Sequence, residues 1–226
     1  NLLEKEITST KDKTFYTTAT FKTTRLVNGH SVENITKGVL DVKIQHRFGN
    51  LNEGGYELFG LDNATMRMGF DYGITKNLMI GIGRSTYQKT YDAFLKIKIL
   101  RQSKGKSKMP ITLSYVPTIA YRTLKWEDPT IKNRNSSRLS YTHQLIIGRK
   151  FSEGTSLQLM PTFVHQNLVT GVNDPNDLLS IGIGGRQKIS KRISINVEYY
   201  YQLPDYKLPG TRNSLSVGFD IETGGH

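Results

Sequence analysis

Histidines are the side chains of this sequence best suited to acid–base chemistry. His46, His143 and His165 share the apolar faces of predicted strands, and a tight turn between the last two predicts that residues 143 and 165 pair directly. With Ser140 or Asn167 they would form a Ser/His/Asn hydrolase, which needs a serine within hydrogen-bonding reach of its base. Ser140 points to the opposite face, which disfavours this hypothesis. No carboxylate shares the histidine face, so no metal site is predicted.

Charged side chains form a second candidate site, because they alternate with the apolar residues of the same strands. Both signs are present and bases are in excess. One interpretation is a structural network that pairs across an enclosed interior and fills it. The other is an aqueous path that prefers anions, since rings of charge select ions. The set comprises Asp41, Lys43, Arg47, Arg67, Asp71, Lys96, Lys98, Arg186, Lys188, Glu198, Asp220 and Glu222.

Strands must position both sets, because the hydropathy of the chain repeats every two residues. Leu215, Val217, Phe219 and Ile221 lie on one face of a predicted strand, and polar residues lie on the other. No segment has a comparable 3.6-residue period, so little helix is predicted. The alternation predicts strands at 14–25, 39–49, 63–74, 78–86, 91–102, 111–124, 139–152, 156–169, 178–189, 193–204 and 214–223.

The strand lengths and connections predict a membrane barrel. Most segments have roughly 9–13 residues, enough for a tilted strand to cross a bilayer. Short turns alternate with long loops, which is typical of an up-and-down barrel. We therefore predict an all-β fold, a closed up-and-down antiparallel transmembrane β-barrel of about 12 strands. Residues 1–13 would be an N-terminal arm and 14–226 the barrel.

Two features of this prediction conflict with the usual barrel. Eleven strands is an odd number, whereas bacterial single-chain barrels have an even number; the final strand is therefore expected to be missing from this sequence. A first strand at 14–25 would also place the short turns on the outside. Threading of residues 1–13 through the lumen, or an extra strand there, would restore the usual orientation.

If lipid surrounds the barrel, the predicted position of the histidines is the membrane interface. His46, His143 and His165 would lie at the membrane interface with Tyr199 and Tyr201, as aromatic residues do in such girdles, and could contact lipid phosphates. The net charge of +12 likewise favours anionic partners such as lipid phosphates.

The composition and the glycine motifs exclude several kinds of site. The chain has no cysteine, which excludes disulfides and thiolate metal sites. It has no apolar run near the ~20 residues of a membrane helix. Gly81-Ile-Gly83 and Gly182-Ile-Gly184 lack the third glycine and the following helix of a nucleotide site, so they are better explained as small residues that make room. No cofactor is predicted.

Several motifs together resemble a known family. They are Val27-Asn-Gly-His-Ser-Val-Glu33, His46-Arg-Phe-Gly49, Phe59-Gly-Leu-Asp-Asn-Ala-Thr65, Gly69-Phe-Asp-Tyr-Gly73, Leu78-Met-Ile-Gly-Ile-Gly-Arg-Ser85, Asp92-Ala-Phe-Leu-Lys96 and Leu100-Arg-Gln102. From about residue 20 onward, the chain is similar to a Bacteroidota family of outer-membrane β-barrels of unassigned function, domain of unknown function 5777. The resemblance implies a secreted outer-membrane barrel that continues with one more strand. It implies no catalytic residue.

The expected function is therefore non-enzymatic. The protein would be an outer-membrane barrel, either a scaffold or subunit of an envelope complex or a narrow passive channel with a charged lumen. Its partners would be outer-membrane lipid or lipopolysaccharide and other envelope proteins, and not nucleic acid. Two alternatives remain open: a lipolytic outer-membrane barrel enzyme, and a soluble ligand-binding barrel with its apolar face inside.

Overall fold

The computed structural model describes residues 13–49, 54–126, 128, 130, 133–169, 171, 174–207 and 211–222. In these residues the chain forms strands and short 3₁₀ turns. None of its described helical turns is both long and apolar enough to cross a membrane. The strands are β1 (Thr14–Tyr16), β2 (Leu40–Arg47), β3 (Thr65–Thr75), β4 (Leu78–Ser85), β5 (Thr90–Leu100), β6 (Ser103–Gly105), β7 (Thr112–Arg122), β8 (Leu139–Lys150), β9 (Thr155–Gln166), β10 (Asp177–Lys188), β11 (Ile193–Gln202) and β12 (Ser214–Ile221).

One antiparallel sheet of 10 strands dominates the fold, in the order β2-β3-β4-β5-β7-β8-β9-β10-β11-β12. This is the predicted up-and-down arrangement, and only the short pair β1–β6 lies outside it. The predicted closure is not observed, because β2 and β12 are edge strands that do not pair with each other in the described residues. The expected final strand has no counterpart there either, and residues 223–226 lie outside the description.

The faces of the large sheet have the reverse polarity of a water-soluble protein. Leu215 and Ile221 on β12 are 67% and 66% exposed, whereas Lys96 on β5 and Glu198 on β11 are 0% and 1% exposed. An apolar outer face and a charged inner face suit a strand surrounded by lipid. A soluble ligand-binding barrel needs the opposite arrangement, so the fold argues against that alternative.

The first predicted strand is wrong. Only Thr14–Tyr16 forms a ladder, with β6, and residues 17–38, here called the lumen segment, follow it along the inner face of the sheet. Threonines favour extended structure, and the stretch contains several, which explains the prediction. Thr20 and Phe21 are adjacent and yet both 2% exposed, because the segment is contacted from both sides. Residues 1–12 of the predicted arm lie outside the described residues.

The ends of the sheet differ. Strands joined by turns 76–77, 151–154 and 189–192 and by the longer connection 101–111 meet at one end, the short-turn end. Strands joined by connections 48–64, 123–138, 167–176 and 203–213 and by the short turn 86–89 meet at the other, the long-loop end. The Gly38 N–H donates to the Gly73 carbonyl (2.7 Å) at the short-turn end, just before β2 begins. Since β2 is the first strand of the sheet, the chain enters from the short-turn end. The conflict over orientation therefore came from the mistaken first strand.

Candidate functional site in the lumen

The lumen segment folds into a small hairpin inside the curved sheet. The Ser31 N–H donates to the Thr24 carbonyl (3.0 Å), and the Leu26 N–H donates to the Gly29 carbonyl (2.9 Å). Before the hairpin, the Thr17 N–H donates to the Gln102 carbonyl (2.8 Å), at the short-turn end. Because the segment returns to that end to begin β2, it occupies the lumen without crossing it.

Glu198 holds the tip of this hairpin. Its carboxylate accepts the N–H groups of Val27 (3.3 Å), Asn28 (2.9 Å) and Gly29 (3.1 Å). Successive backbone N–H groups in a turn form a concave anion site, and a carboxylate of the barrel wall fills it here. A side chain at position 29 would overlap the hydroxyl of Tyr200, so the close approach requires glycine.

Lys96, a cation, holds the two arms of the hairpin, whereas the anion Glu198 holds its tip. Its ammonium donates to the carbonyls of Thr24 (3.0 Å), Ser31 (3.1 Å) and Glu33 (2.8 Å). An ammonium has three donors and no acceptor, so every N–H of this buried group has a partner. A cation on β5 and an anion on β11 thus both bind backbone atoms of the lumen segment.

Small residues of the wall make room for this segment and for inward side chains. A Cβ on Gly148 would lie 2.6 Å from Val32, and one on Gly184 would overlap Leu26. Gly182 similarly leaves space for the Tyr200 ring (2.5 Å). Contacts of one segment with β8 and β10, together with β5 and β11, require the sheet to curve around it. The interpretation of the glycine motifs as space-making residues is confirmed.

The other inward charges pair in separate groups rather than in one network. The Lys43 ammonium bonds to Asp41 and lies 2.9 Å from the Asp71 carboxylate. Arg47 and Lys188 are exposed and form no ion pair within the described residues. The remaining pairs are Arg67–Asp92, Lys98–Glu33 (3.9 Å), Arg186–Asp220 (3.7 Å) and Lys22–Glu222. The predicted set of inward charges lacks Lys22 and Glu33, because no inward role is predicted for the lumen segment.

A cavity opens on the long-loop side of the hairpin. Two residues further along β8 than Thr142 of the cavity wall, the Gln144 amide donates to the hydroxyls of Thr162 (2.9 Å) and Tyr200 (3.3 Å). The cavity, here called the vestibule, has a volume of about 610 Å³. Hydroxyl and charged groups line it, including Arg47, Thr65, Arg67, Ser85, Thr90, Asp92, Thr118 and Thr142. It can accept water or a small polar solute, but the lumen segment lies below it.

A family comparison agrees with this architecture. The family model of a membrane-bound β-barrel domain, domain of unknown function 5777, matches residues 21–226. The chain belongs to this family. No curated protein matches it significantly. Because the match begins at Phe21, most of the lumen segment is part of the family domain.

The outer face of this membrane-bound barrel carries the predicted histidines in a different register. His143 lies opposite Phe163, and His165 lies opposite Tyr141, so their predicted direct pairing is wrong. The register is displaced by two residues because the turn is centred on Glu153 rather than on Gly154. A two-residue displacement preserves the face, so both histidines stay on the outside.

The partners of the histidines also differ from the predicted ones. His165 Nδ1 lies 2.6 Å from an oxygen of Asp177, so a carboxylate does share the histidine face; the prediction missed it because β10 begins one residue early. His143 Nδ1 lies 2.6 Å from the Tyr115 hydroxyl. Ser140 lies opposite Gln166, and in the described residues no serine hydroxyl bonds to either histidine. The described part of the chain also has no cluster of three metal-ligating side chains.

The remaining predicted interface residues lie on the same outer face. His46 stacks on Phe48 with ring centroids 6.5 Å apart. The Tyr199 hydroxyl accepts a hydrogen bond from Asn213 (3.0 Å), and Tyr201 is 42% exposed. Aromatic rings with a polar tip suit the level of lipid headgroups.

Proposed function

We propose that the protein is a non-enzymatic barrel of the bacterial outer membrane whose lumen is closed by its own lumen segment. In this proposal it serves as a scaffold or subunit of an envelope complex. The resemblance of its motifs to a Bacteroidota family supports that origin and the outer membrane. The observation that carries the proposal is the hairpin at residues 24–31, which Lys96 and Glu198 hold by buried hydrogen bonds.

A narrow passive channel is the second candidate, and the vestibule favours it. That cavity lies near the long-loop end of the barrel, and its wall carries charges of both signs. Conduction would require the lumen segment to leave. The segment forms its strongest contacts with side chains of the wall rather than with a strand ladder, so its release would leave the large sheet intact.

Conductance in planar bilayers tests the two candidates. A lasting closed state is expected for the unaltered protein. The Lys96→Met/Glu198→Gln variant removes the bonds of Lys96 and weakens those of Glu198, because glutamine loses the charge and keeps only one acceptor oxygen. Conduction by this variant alone would favour a gated channel. Steady conduction by the unaltered protein would overturn closure, and silence of both proteins would favour the scaffold.

A disulfide provides the matched control for this experiment. A Cβ on Gly218 would lie 3.9 Å from the Cβ of Val27, within the ~3.5–4.5 Å range of disulfides. In the Lys96→Met/Glu198→Gln background, Val27→Cys/Gly218→Cys should keep the barrel closed when oxidised. Reduction should restore conduction, and conduction that ignores the disulfide would exclude the lumen segment as the gate.

The absence of catalysis is tested separately. The proposal predicts no hydrolysis of phospholipid vesicles by the purified barrel. Hydrolysis that is lost in His143→Ala or His165→Ala would replace it with the lipolytic enzyme. Chemical cross-linking in intact cells, followed by mass spectrometry, tests for envelope partners; recovery of the barrel without any cross-linked envelope protein would argue against the scaffold.

A further inference from the structure

A hollow of about 570 Å³ interrupts the outer wall where β3, β4, β5 and β7 meet. Ala93 lies at its centre, opposite Ile82 on β4 and Ile119 on β7. Phe70 extends this row on β3, opposite Ile82. The short side chain between larger ones leaves a depression that is lined almost wholly by apolar atoms.

An arginine stands at the long-loop end of this hollow. Arg84 lies opposite Met68 and Tyr91, and its guanidinium is 5.5 Å from the centre of the Tyr91 ring. Tyr91 in turn lies opposite Tyr121. Tyrosines of this kind mark the headgroup level of a membrane. In the described residues Arg84 is exposed and has no carboxylate partner, so its charge is available to a ligand.

We propose that this hollow binds one anionic membrane lipid, with an acyl chain beside Ala93 and the phosphate at Arg84. The inference rests on the proposed function only in placing the outer face in lipid. The two ends of the hollow match the two ends of such a molecule: apolar side chains toward the membrane centre and a free guanidinium at the headgroup level. Arginine binds phosphate through paired N–H donors, and nearby basic groups attract anionic lipid.

Lipid retention tests the proposal. The protein is purified in mixed micelles with equal amounts of phosphatidylglycerol and phosphatidylcholine that carry the same acyl chains, and native mass spectrometry counts the lipids retained. The unaltered protein should retain phosphatidylglycerol preferentially, at one molecule per chain. Arg84→Gln should lower the ratio of the two retained lipids about fivefold, the effect of one arginine near an anionic lipid. Ala93→Phe should remove the retained lipid by filling the hollow.

Matched variants make the result specific. Arg149 is also an exposed arginine stacked on an aromatic ring, 5.0 Å from Phe151, but it lies at the short-turn end. Arg149→Gln and the outer-face substitution Val197→Phe should leave retention unchanged. Equal loss in Arg84→Gln and Arg149→Gln, no preference for phosphatidylglycerol, or a dimer mass that shows a second copy in the hollow would each overturn the proposal.

The same samples separate this inference from the proposed function. Partition into detergent is expected for the unaltered protein and for all four variants. A chain that stays monodisperse without detergent would overturn the membrane placement itself. A chain that needs detergent and yet retains both lipids equally would overturn only the lipid site.

Discussion

Replacement of Lys96 by methionine should loosen the lumen segment while largely preserving side-chain volume. The substitution removes the donor to the carbonyls of Thr24, Ser31 and Glu33. The Thr24 oxygen keeps the Ser31 N–H as a partner, whereas the other two oxygens lose the bonds described for them. A buried group without a partner costs ~1–3 kcal/mol, so the two oxygens together cost ~2–6 kcal/mol.

Part of that cost is offset, because burial of the lysine charge away from water itself costs free energy and methionine carries no charge. We therefore take the lower end, about 2 kcal/mol. At 1.4 kcal/mol for each factor of ten, the population of the released segment should rise about 30-fold.

Thiol labelling measures this population directly. The chain has no cysteine, so Val32→Cys introduces a single thiol at a position that is 1% exposed. Its rate of reaction with a maleimide reports how often the lumen segment leaves. Glu153→Cys, at a side chain that is 94% exposed, supplies the rate of an unprotected thiol.

A second lysine provides the control. Lys188→Met changes an exposed lysine of β10 that forms no ion pair in the described residues, so the labelling rate of Val32→Cys should not change. If Lys96→Met accelerates labelling no more than Lys188→Met does, the role assigned to the buried bonds is refuted. A rate for Val32→Cys equal to that of Glu153→Cys would refute burial of the segment altogether.

Three further predictions use the same hairpin. Gly29→Ala should accelerate labelling, because its Cβ overlaps the Tyr200 hydroxyl, and Gly29→Ala/Tyr200→Phe should reverse part of the effect; no reversal would place the conflict elsewhere. Burial and neighbouring cations hold the pKa of His30 well below its usual range. The population of the released segment should therefore be lowest above pH ~6.5 and should rise about tenfold for each pH unit below that value. After normalisation to the unprotected thiol, pH-independent labelling would contradict this. Finally, Val27→Cys/Gly218→Cys should oxidise almost completely in the folded barrel, as a mobility shift on non-reducing gels; a reduced product under oxidising conditions would contradict the 3.9 Å separation of the Cβ atoms.

The sheet was largely predictable because its signal is local. Alternation identified its ten strands, and two turn centres fixed the register: Tyr72 opposite Ile80, and Tyr199 opposite Ile183. The register of the hairpin β8–β9 was predicted wrongly, because several polar residues compete for the turn position. There the Ser152 hydroxyl accepts the N–H groups of both Gly154 and Thr155 (3.2 and 3.1 Å), which shifts the centre by one residue.

The lumen segment was not predictable from such patterns. Its residues are contacted from several directions, so burial follows neither a period of two nor one of 3.6. Lys96 and Glu198 were identified as inward charges, but their partners are backbone atoms, which any residue type provides. Only the presence of glycine at position 29 hinted at a close approach.

The position of the lumen segment also determines the order in which the chain can acquire its contacts. Lys22 and Glu222 are 200 residues apart in the chain, and Asn28 and Glu198 are 170 apart. Each hairpin of the sheet, by contrast, closes a short loop. Loop-closure entropy rises with separation, and chains rich in distant contacts fold slowly. The lumen segment is synthesised before the strands of the large sheet, so its distant contacts must wait for the last strands, and the sheet assembles around the segment.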